Sequence, residues 1–416
     1  MQADGGLSPT ARKLVLIVAL SGLVFDGVEL GLMPVASRTV SRSLLGEQFT
    51  EQLAGVWFAW FTASLMLGAA IGGIILGNLG DRIGRTRAMA LSIIIYSVFA
   101  GLGGFAQTQE QMLVLRFLVG VGTGGMVPNG LALVAECWPD ASRPLISGVM
   151  GAGINLGILI LSQIVTYWPL TEESWRWFFQ LSGIPAIVGI FALFGLPESP
   201  AWLANRNRSS QPTVTIPELF RGSLLRPTLV GICIGAVPLL GAWAASKWTI
   251  PWADQMASAT QPAYKAQVQQ WWAIGATLGA LCGAQVARFG RRASYFLISL
   301  GSTALTSFLF LGTEPLAKNF LLVVAAQGFV TTLFFGWLPI YLPELFPTRA
   351  RASGMGLSYN VGRFATAVGV LVAAKLFQSL GNSYPRVGFY CGLVYALGMV
   401  VVWFAPDTQG RLQTDE

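Results

Sequence analysis

The sequence predicts an all-α integral membrane protein, with twelve spanning helices arranged as two related six-helix bundles. Three observations carry that prediction. Of 416 residues, 54% are hydrophobic and only 11% charged, against about a quarter charged in soluble proteins, which excludes a soluble globular enzyme. The chain divides into apolar runs of about 20 residues, the length that crosses a hydrocarbon core. Three short patterns also recur at nearly one offset. Gly84-Arg85 returns as Gly290-Arg291 after 206 residues, Glu136-x-x-Pro139-x-x-x-Arg143 as Glu344-x-x-Pro347-x-x-x-Arg351 after 208, and Pro197-Glu198-Ser199 as Pro406-Asp407-Thr408 after 209.

The spans are predicted near 14–36, 54–77, 87–106, 111–135, 144–167, 175–196, 227–250, 269–288, 293–313, 319–343, 352–380 and 385–405. The first contains Asp26 and Glu29 and shows no small-residue cleavage site after a short apolar stretch, so a retained helix is expected and not a signal peptide. The repeat divides the chain into an N-terminal bundle, 1–197, and a C-terminal bundle, 227–416. The polar stretch 198–226, rich in Pro, Ser and Arg, is the natural linker, with at most a short surface helix.

Basic residues fix the expected orientation. With the N-terminus in the cytoplasm, sixteen Lys and Arg fall in inner segments and six in outer ones, leaving four of the 26 inside spans. The positive-inside rule then places both termini in the cytoplasm of a cell-membrane protein. The net charge of +7 is spread thinly between apolar runs, so no nucleic-acid partner is expected. The four cysteines, Cys137, Cys233, Cys282 and Cys391, have no metal-like spacing and are read as small packing residues. There is no histidine to serve as ligand or proton carrier, and no phosphate-binding G-x-x-x-x-G-K-[ST] run. Neither a cofactor nor a metal is called for, so energy coupling must use carboxylates, arginines and an existing gradient.

Charges inside spans mark the candidate site. A carboxylate near mid-bilayer costs on the order of 3 kcal/mol on insertion scales and normally faces a cavity or a partner. Asp26 and Glu29, three residues apart, share one helix face. Arg116 is the candidate partner of Asp26: at about 1.5 Å per residue, Asp26 stands roughly 19 Å and Arg116 roughly 22 Å above the inner surface of a 30 Å core. Arg363 in the eleventh span is another charge at this depth, able to clamp a substrate carboxylate bidentately, or else to pair internally with Asp26 or Glu29. Lys247 and Lys375 lie near outer helix ends and are expected to snorkel to water. Asn129, Asn155, Gln163, Gln327 and Asn360 are polar groups that line a path or bond between helices. Trp57, Trp60, Trp243, Trp271, Trp272 and Trp337 could stack on a substrate ring; several lie near the outer interface, where an interfacial belt is expected, and Trp337, deeper in the tenth span, is the best stacking candidate.

These residues also carry a resemblance to a known family. Gly77-Asn78-Leu79-Gly80-Asp81-Arg82-Ile83-Gly84-Arg85 resembles the loop signature of major facilitator superfamily transporters, and Arg288-Phe289-Gly290-Arg291-Arg292 its weaker copy. Arg116-Phe117-Leu118-Val119-Gly120-Val121-Gly122-Thr123-Gly124 is similar to the helix-4 signature, while Pro197-Glu198-Ser199-Pro200 and Pro406-Asp407-Thr408-Gln409-Gly410 resemble elements of the sugar-porter and organic-ion branches. Asp26-Gly27-Val28-Glu29 is similar to an Asp-Gly-x-Asp element of aromatic-acid symporters. Proton-coupled sugar porters likewise place an Asp of helix 1 near an Arg of helix 4.

The resemblance implies alternating access around a central site, with Asp26, Glu29 and Arg116 coupling protons to transport. It also implies a cytoplasmic ion-pair latch of Asp81, Arg85, Glu136 and Arg143 with Arg291, Glu344 and Arg351. The seventh span, Gly231 to Trp243, lacks the glutamine-rich element of sugar porters, and the runs around Pro343–Gly354 and Tyr359–Arg363 look more like organic-ion, aromatic-acid and sialic-acid symporters. A small organic anion moved by proton symport is the resulting expectation, in a protein for which nothing requires an oligomer. An uncoupled facilitator, a cation or drug exporter, and a transporter-like binding protein are the rivals.

Overall fold

The computed structural model describes residues 7–138, 143–205 and 215–408. Pro139, Arg206, Arg208 and Arg411, together with the side chains of Arg143 and Arg288, lie outside the described part. Among the described residues every regular element is a helix.

The long helices, in chain order, are α1 Pro9–Leu45, α2 Glu51–Ile83, α3 Arg85–Gly103, α4 Gln109–Cys137, α5 Arg143–Tyr167, α6 Trp175–Gly195, α7 Gly222–Ala257, α8 Tyr264–Val286, α9 Arg291–Leu311, α10 Phe320–Leu345, α11 Arg351–Ser379 and α12 Tyr384–Phe404. Eleven of them are long and apolar enough to cross a membrane. The exception, α8, has spanning length at 23 residues but begins Tyr264-Lys265-Ala266-Gln267-Val268-Gln269-Gln270, and these polar groups lower its mean hydropathy. Several helices exceed their predicted limits. α1 continues to Leu45, α7 to Ala257, and α8 starts at Tyr264, because an apolar run ends at the first charge whereas a helix whose charges are paired does not.

Local sequence sets the interruptions. Ser8, Thr50 and Thr108 accept backbone N–H bonds at the starts of α1, α2 and α4. Gly183 and Pro185 break α6 into two pieces. α7 loosens into a π-turn at Gly241–Ala245 and a 3-10 turn at Ser246–Trp248 just after Pro238. The linker holds the short helices Pro200–Asn205 and Ile216–Leu219.

The repeat in sequence is a repeat in packing. α2 lies along α4 as α8 lies along α10, α1 along α5 as α7 along α11, and α3 against α6 as α9 against α12. In the first pair a Cβ on Gly72 would stand 2.0 Å from the Val121 carbonyl oxygen, and in its counterpart a Cβ on Gly275 would stand 1.9 Å from that of Ala325. Backbones meet there because no side chain intervenes, the close approach that drives association where lipid is as apolar as protein. Between the halves, α2 packs along α11 and α5 along α8.

Three side chains differ from expectation: Trp337, Cys233 and Cys282. Trp337 sits in the interior of the C-terminal half, its ring 4.9 Å from Tyr295 and 4.6 Å from Tyr341, so its faces are already covered by protein rings. Cys233 and Cys282, expected as packing residues, are exposed on their helices, while Cys137 is buried.

Candidate functional site

The intramembrane charges form one pair inside the N-terminal half, Glu29 with Arg116, and one opposition across the halves, Asp26 with Arg363. Asp26 and Glu29 of α1 are 1% and 2% exposed, and Arg116 of α4 is completely buried. The pairing departs from the depth estimate: Arg116 Nη1 lies 3.5 Å from Glu29 Oε2, and Asp26 is not its partner. Glu29 stands one turn, about 4.5 Å, beyond Asp26 along α1, which carries it past the level of Asp26 toward that of Arg116. The guanidinium also lies 5.2 Å from the Phe179 ring of α6, and Ser182 stands beside Glu29.

Asp26 faces a different cation. Arg363 of α11, from the other half, is the opposite charge whose field acts on it, and Asp26 Oδ1 is buried without a hydrogen-bond partner. Arg363 crosses the interface itself, its Nη1 donating to the Ala69 carbonyl of α2 at 3.1 Å. Gly73, one turn along α2, makes room for it: a Cβ there would come within 2.7 Å of Asn360 Oδ1 and 2.9 Å of Arg363 Nη1. Asn360 Oδ1 has no partner and Tyr359 lies under the guanidinium, 5.4 Å from ring to carbon. An acid of one half, a base of the other and an unpaired amide oxygen therefore share one mid-helix locus.

The other polar candidates have partners. Asn129 donates to the carbonyls of Leu76 and Gly125 and ties α2 to α4. Asn155 donates to Gly151 of its own helix. Gln163 accepts from Gln270 at 2.6 Å, joining α5 to α8. Gln327 donates to Ser246 and Thr306 and accepts from Trp272, inside the C-terminal half.

The motif residues at the loop ends form one cluster in each half. Arg85 holds Asp81 at 2.6 Å and Glu136 at 3.5 Å, and Glu136 accepts from the Ser199 hydroxyl. In the second half, Arg291 clamps Glu344 bidentately at 2.9 and 2.5 Å, and Glu344 accepts from the Thr408 hydroxyl. Arg351 donates to the Pro343 carbonyl at 3.2 Å. Gly84 and Gly290 precede the two arginines at φ of +112° and +101°, conformations that side chains rarely adopt. Each of these pairs joins groups of one half.

At the opposite end the charges do cross. Arg38 of α1 binds Glu51 of α2 at 2.5 Å and lies 3.6 Å from Asp254 of α7, while Lys265 of α8 lies 3.3 Å from Asp254 and donates to Thr39 of α1 at 3.1 Å. Sequence reasoning missed this cluster because Arg38, Asp254 and Lys265 all fall just outside the predicted spans. It also missed Lys247, which does not snorkel: it is 3% exposed, with its amine 3.7 Å from the Trp272 ring. Lys375 is exposed.

Two pseudo-equivalent helical bundles around a charged interface at membrane depth define a membrane carrier of small solutes, not an enzyme. The family model of the Major Facilitator Superfamily matches residues 18–271, more than half of the chain, and that of the Sugar (and other) transporter family matches residues 208–413. The chain belongs to the Major Facilitator Superfamily. Similar relatives include a probable 4-methylmuconolactone transporter of Cupriavidus pinatubonensis, 29% identical over 82% of this chain and 79% of the relative. A cis,cis-muconate transport protein of Acinetobacter baylyi is 26% identical over 92% and 94%, and a niacin transporter of the same organism 23% identical over 96% and 94%. In fold it is similar to a crystal structure of a D-xylose-proton symporter, with a TM-score of 0.72 at 17% identity over 96% of this chain and 99% of that one.

Proposed function

We infer that the protein carries small organic anions through the cell (inner) membrane by proton symport, as a monomer with both termini in the cytoplasm. The end bearing Asp81 is then cytoplasmic and the Arg38 end faces outward. The substrate class is supported by the relatives named for muconate, methylmuconolactone and niacin. The coupling rests on one observation, the buried Asp26 of one half opposed by Arg363 of the other. A proton neutralises Asp26 and a carboxylate neutralises Arg363, so the site is left uncharged when both ligands enter, and each favours the other by linkage. Glu29 and Arg116 hold the neighbouring turn as an ion pair and set its field. Asn360, with its unpartnered oxygen, orients the substrate, while Asn129, Asn155, Gln163, Gln327 and Trp337 shape the helices around the path.

The two bundles, 1–197 and 227–416, rock about this site with 198–226 as tether. In the outward-open state Asp81, Arg85, Glu136 and Arg143 exchange partners with Arg291, Glu344 and Arg351 of the other half. The experiment is uptake of cis,cis-muconate and of nicotinate into proteoliposomes under an imposed pH gradient. Wild-type protein is expected to accumulate substrate and to lose accumulation with a protonophore. Asp26→Asn is expected to retain counterflow but not pH-driven accumulation; full accumulation by that variant removes Asp26 from the coupling, and no counterflow of either acid by the wild type removes the anion reading.

A further inference from the structure

Buried cations in this protein have acids beside them, with Lys247 as the exception among the described residues. Arg116 has Glu29, and Arg38 and Lys265 share Asp254. The Lys247 amine has neither a hydrogen-bond partner nor a charged group acting on it. An ammonium so placed is strongly disfavoured unless an anion comes to it.

What surrounds the amine is aromatic and held in place. Its nitrogen lies 3.7 Å from the centre of the Trp272 ring and 5.7 Å from that of Trp243. The Trp272 indole N–H donates to Gln327 Oε1 at 3.1 Å, and the same amide donates to Ser246, the residue before the lysine, at 2.5 Å. Gln327 therefore fixes both the ring and the turn of α7 that presents the amine. That turn follows the π-turn Gly241–Ala245, a distortion that recurs at functional sites. Gln269, one turn from Trp272 along α8, adds a buried Oε1 without a partner. Along α7, the Lys247 turn lies toward the Arg38 end of the level at which Gly362, next to Arg363, packs on Leu239.

We propose that Lys247, Trp243 and Trp272 form a second anion subsite, which takes a carboxylate borne on a planar unsaturated or aromatic skeleton. The amine pairs with the carboxylate and the indole faces cover the attached π-system. This rests on the organic-anion reading and deepens it, since it separates planar acids from saturated ones.

The test is calorimetric titration of the purified full chain in detergent with cis,cis-muconate, its saturated six-carbon analogue adipate, nicotinate and the uncharged nicotinamide. Wild-type protein should bind muconate and nicotinate more tightly than adipate. Lys247→Met should weaken both planar acids about 10- to 100-fold, the loss of one charge-assisted bond, and leave any nicotinamide binding unchanged. Lys247→Arg should restore at least part of the affinity, and Trp272→Leu should narrow the gap between muconate and adipate. Lys247→Gln serves if the methionine variant is not monodisperse. Wild-type affinity for both planar acids in a folded Lys247 variant overturns the subsite alone, provided Arg363→Met still weakens them; absence of acid binding by the wild type overturns the organic-anion reading itself.

Discussion

Asp254 is the residue whose loss should most change which end of the protein is closed. Its side chain is 5% exposed and lies between two cations of similar burial, Arg38 at 3.6 Å and Lys265 at 3.3 Å. Arg38 belongs to α1 and the other two to α7 and α8, so the cluster holds together only while the halves touch at this end. Asp254→Asn keeps the shape and removes the charge. Breaking a buried pair by deleting one partner costs about 3–5 kcal/mol, because the remaining charge stays buried. Arg38 retains Glu51 and Lys265 retains Thr39, which argues for the lower figure, about 3 kcal/mol. When the halves part, water reaches all these groups and the substitution costs little there. The closed state should therefore lose about 100-fold in population relative to the state open at the Arg38 end.

Spin labels on Glu47→Cys and Gln261→Cys, exposed positions of opposite halves at this end, report the separation by pulsed dipolar spectroscopy once the four native cysteines are replaced. The expected result is a long-distance population that is minor in the parent and dominant with Asp254→Asn, with Asp254→Glu close to the parent. A distance distribution unchanged by Asp254→Asn refutes the idea that this cluster holds the halves together.

Two further outcomes follow from the same geometry. Glu29→Gln leaves the fully buried Arg116 without its anion, so about 3–5 kcal/mol of stability should be lost and the melting temperature in detergent should drop by several degrees, with Glu29→Gln/Arg116→Met recovering most of it. Gly73→Leu drives a side chain into Asn360 and Arg363 and should lower uptake at least tenfold while size-exclusion behaviour stays that of the parent, whereas Gly77→Leu, where a Cβ meets nothing within 4 Å, should transport normally.

The scaffold was legible because membrane insertion and duplication both leave marks in one dimension. Apolar runs announce helices, and the spacing of 206 to 209 residues announced that Arg85, Glu136 and Ser199 have counterparts in Arg291, Glu344 and Thr408. Those counterparts form equivalent clusters. Depth arithmetic brought Asp26, Glu29, Arg116 and Arg363 to one level, but it could not choose among partners. Depth is a single coordinate, and the choice between Asp26 and Glu29 for Arg116 turns on a difference of one helical turn and on which helix stands opposite. The same limit hid Arg38, Asp254, Lys265 and Lys247. A hydropathy window ends at a charge, so it assigns to loops and outer ends residues that paired or packed charges can keep on a buried helix.

The two ends of the protein differ in a way that bears on how it moves. At the Asp81 end, Arg85 with Glu136 and Arg291 with Glu344 are satisfied within their own halves. At the Arg38 end, beside the within-half pairs Arg38–Glu51 and Lys265–Asp254, Arg38 reaches Asp254 and Lys265 reaches Thr39 across the interface. Closing the Asp81 end would give these acids and arginines new neighbours without requiring them to lose a buried charge partner, whereas opening the Arg38 end must first hydrate three charges. The barrier to reorientation is therefore expected to lie mainly at the Arg38 end. In that case Asp254→Asn should speed the opening step and slow the return, and the two should be separable as a faster exchange phase beside a lower rate of net uptake.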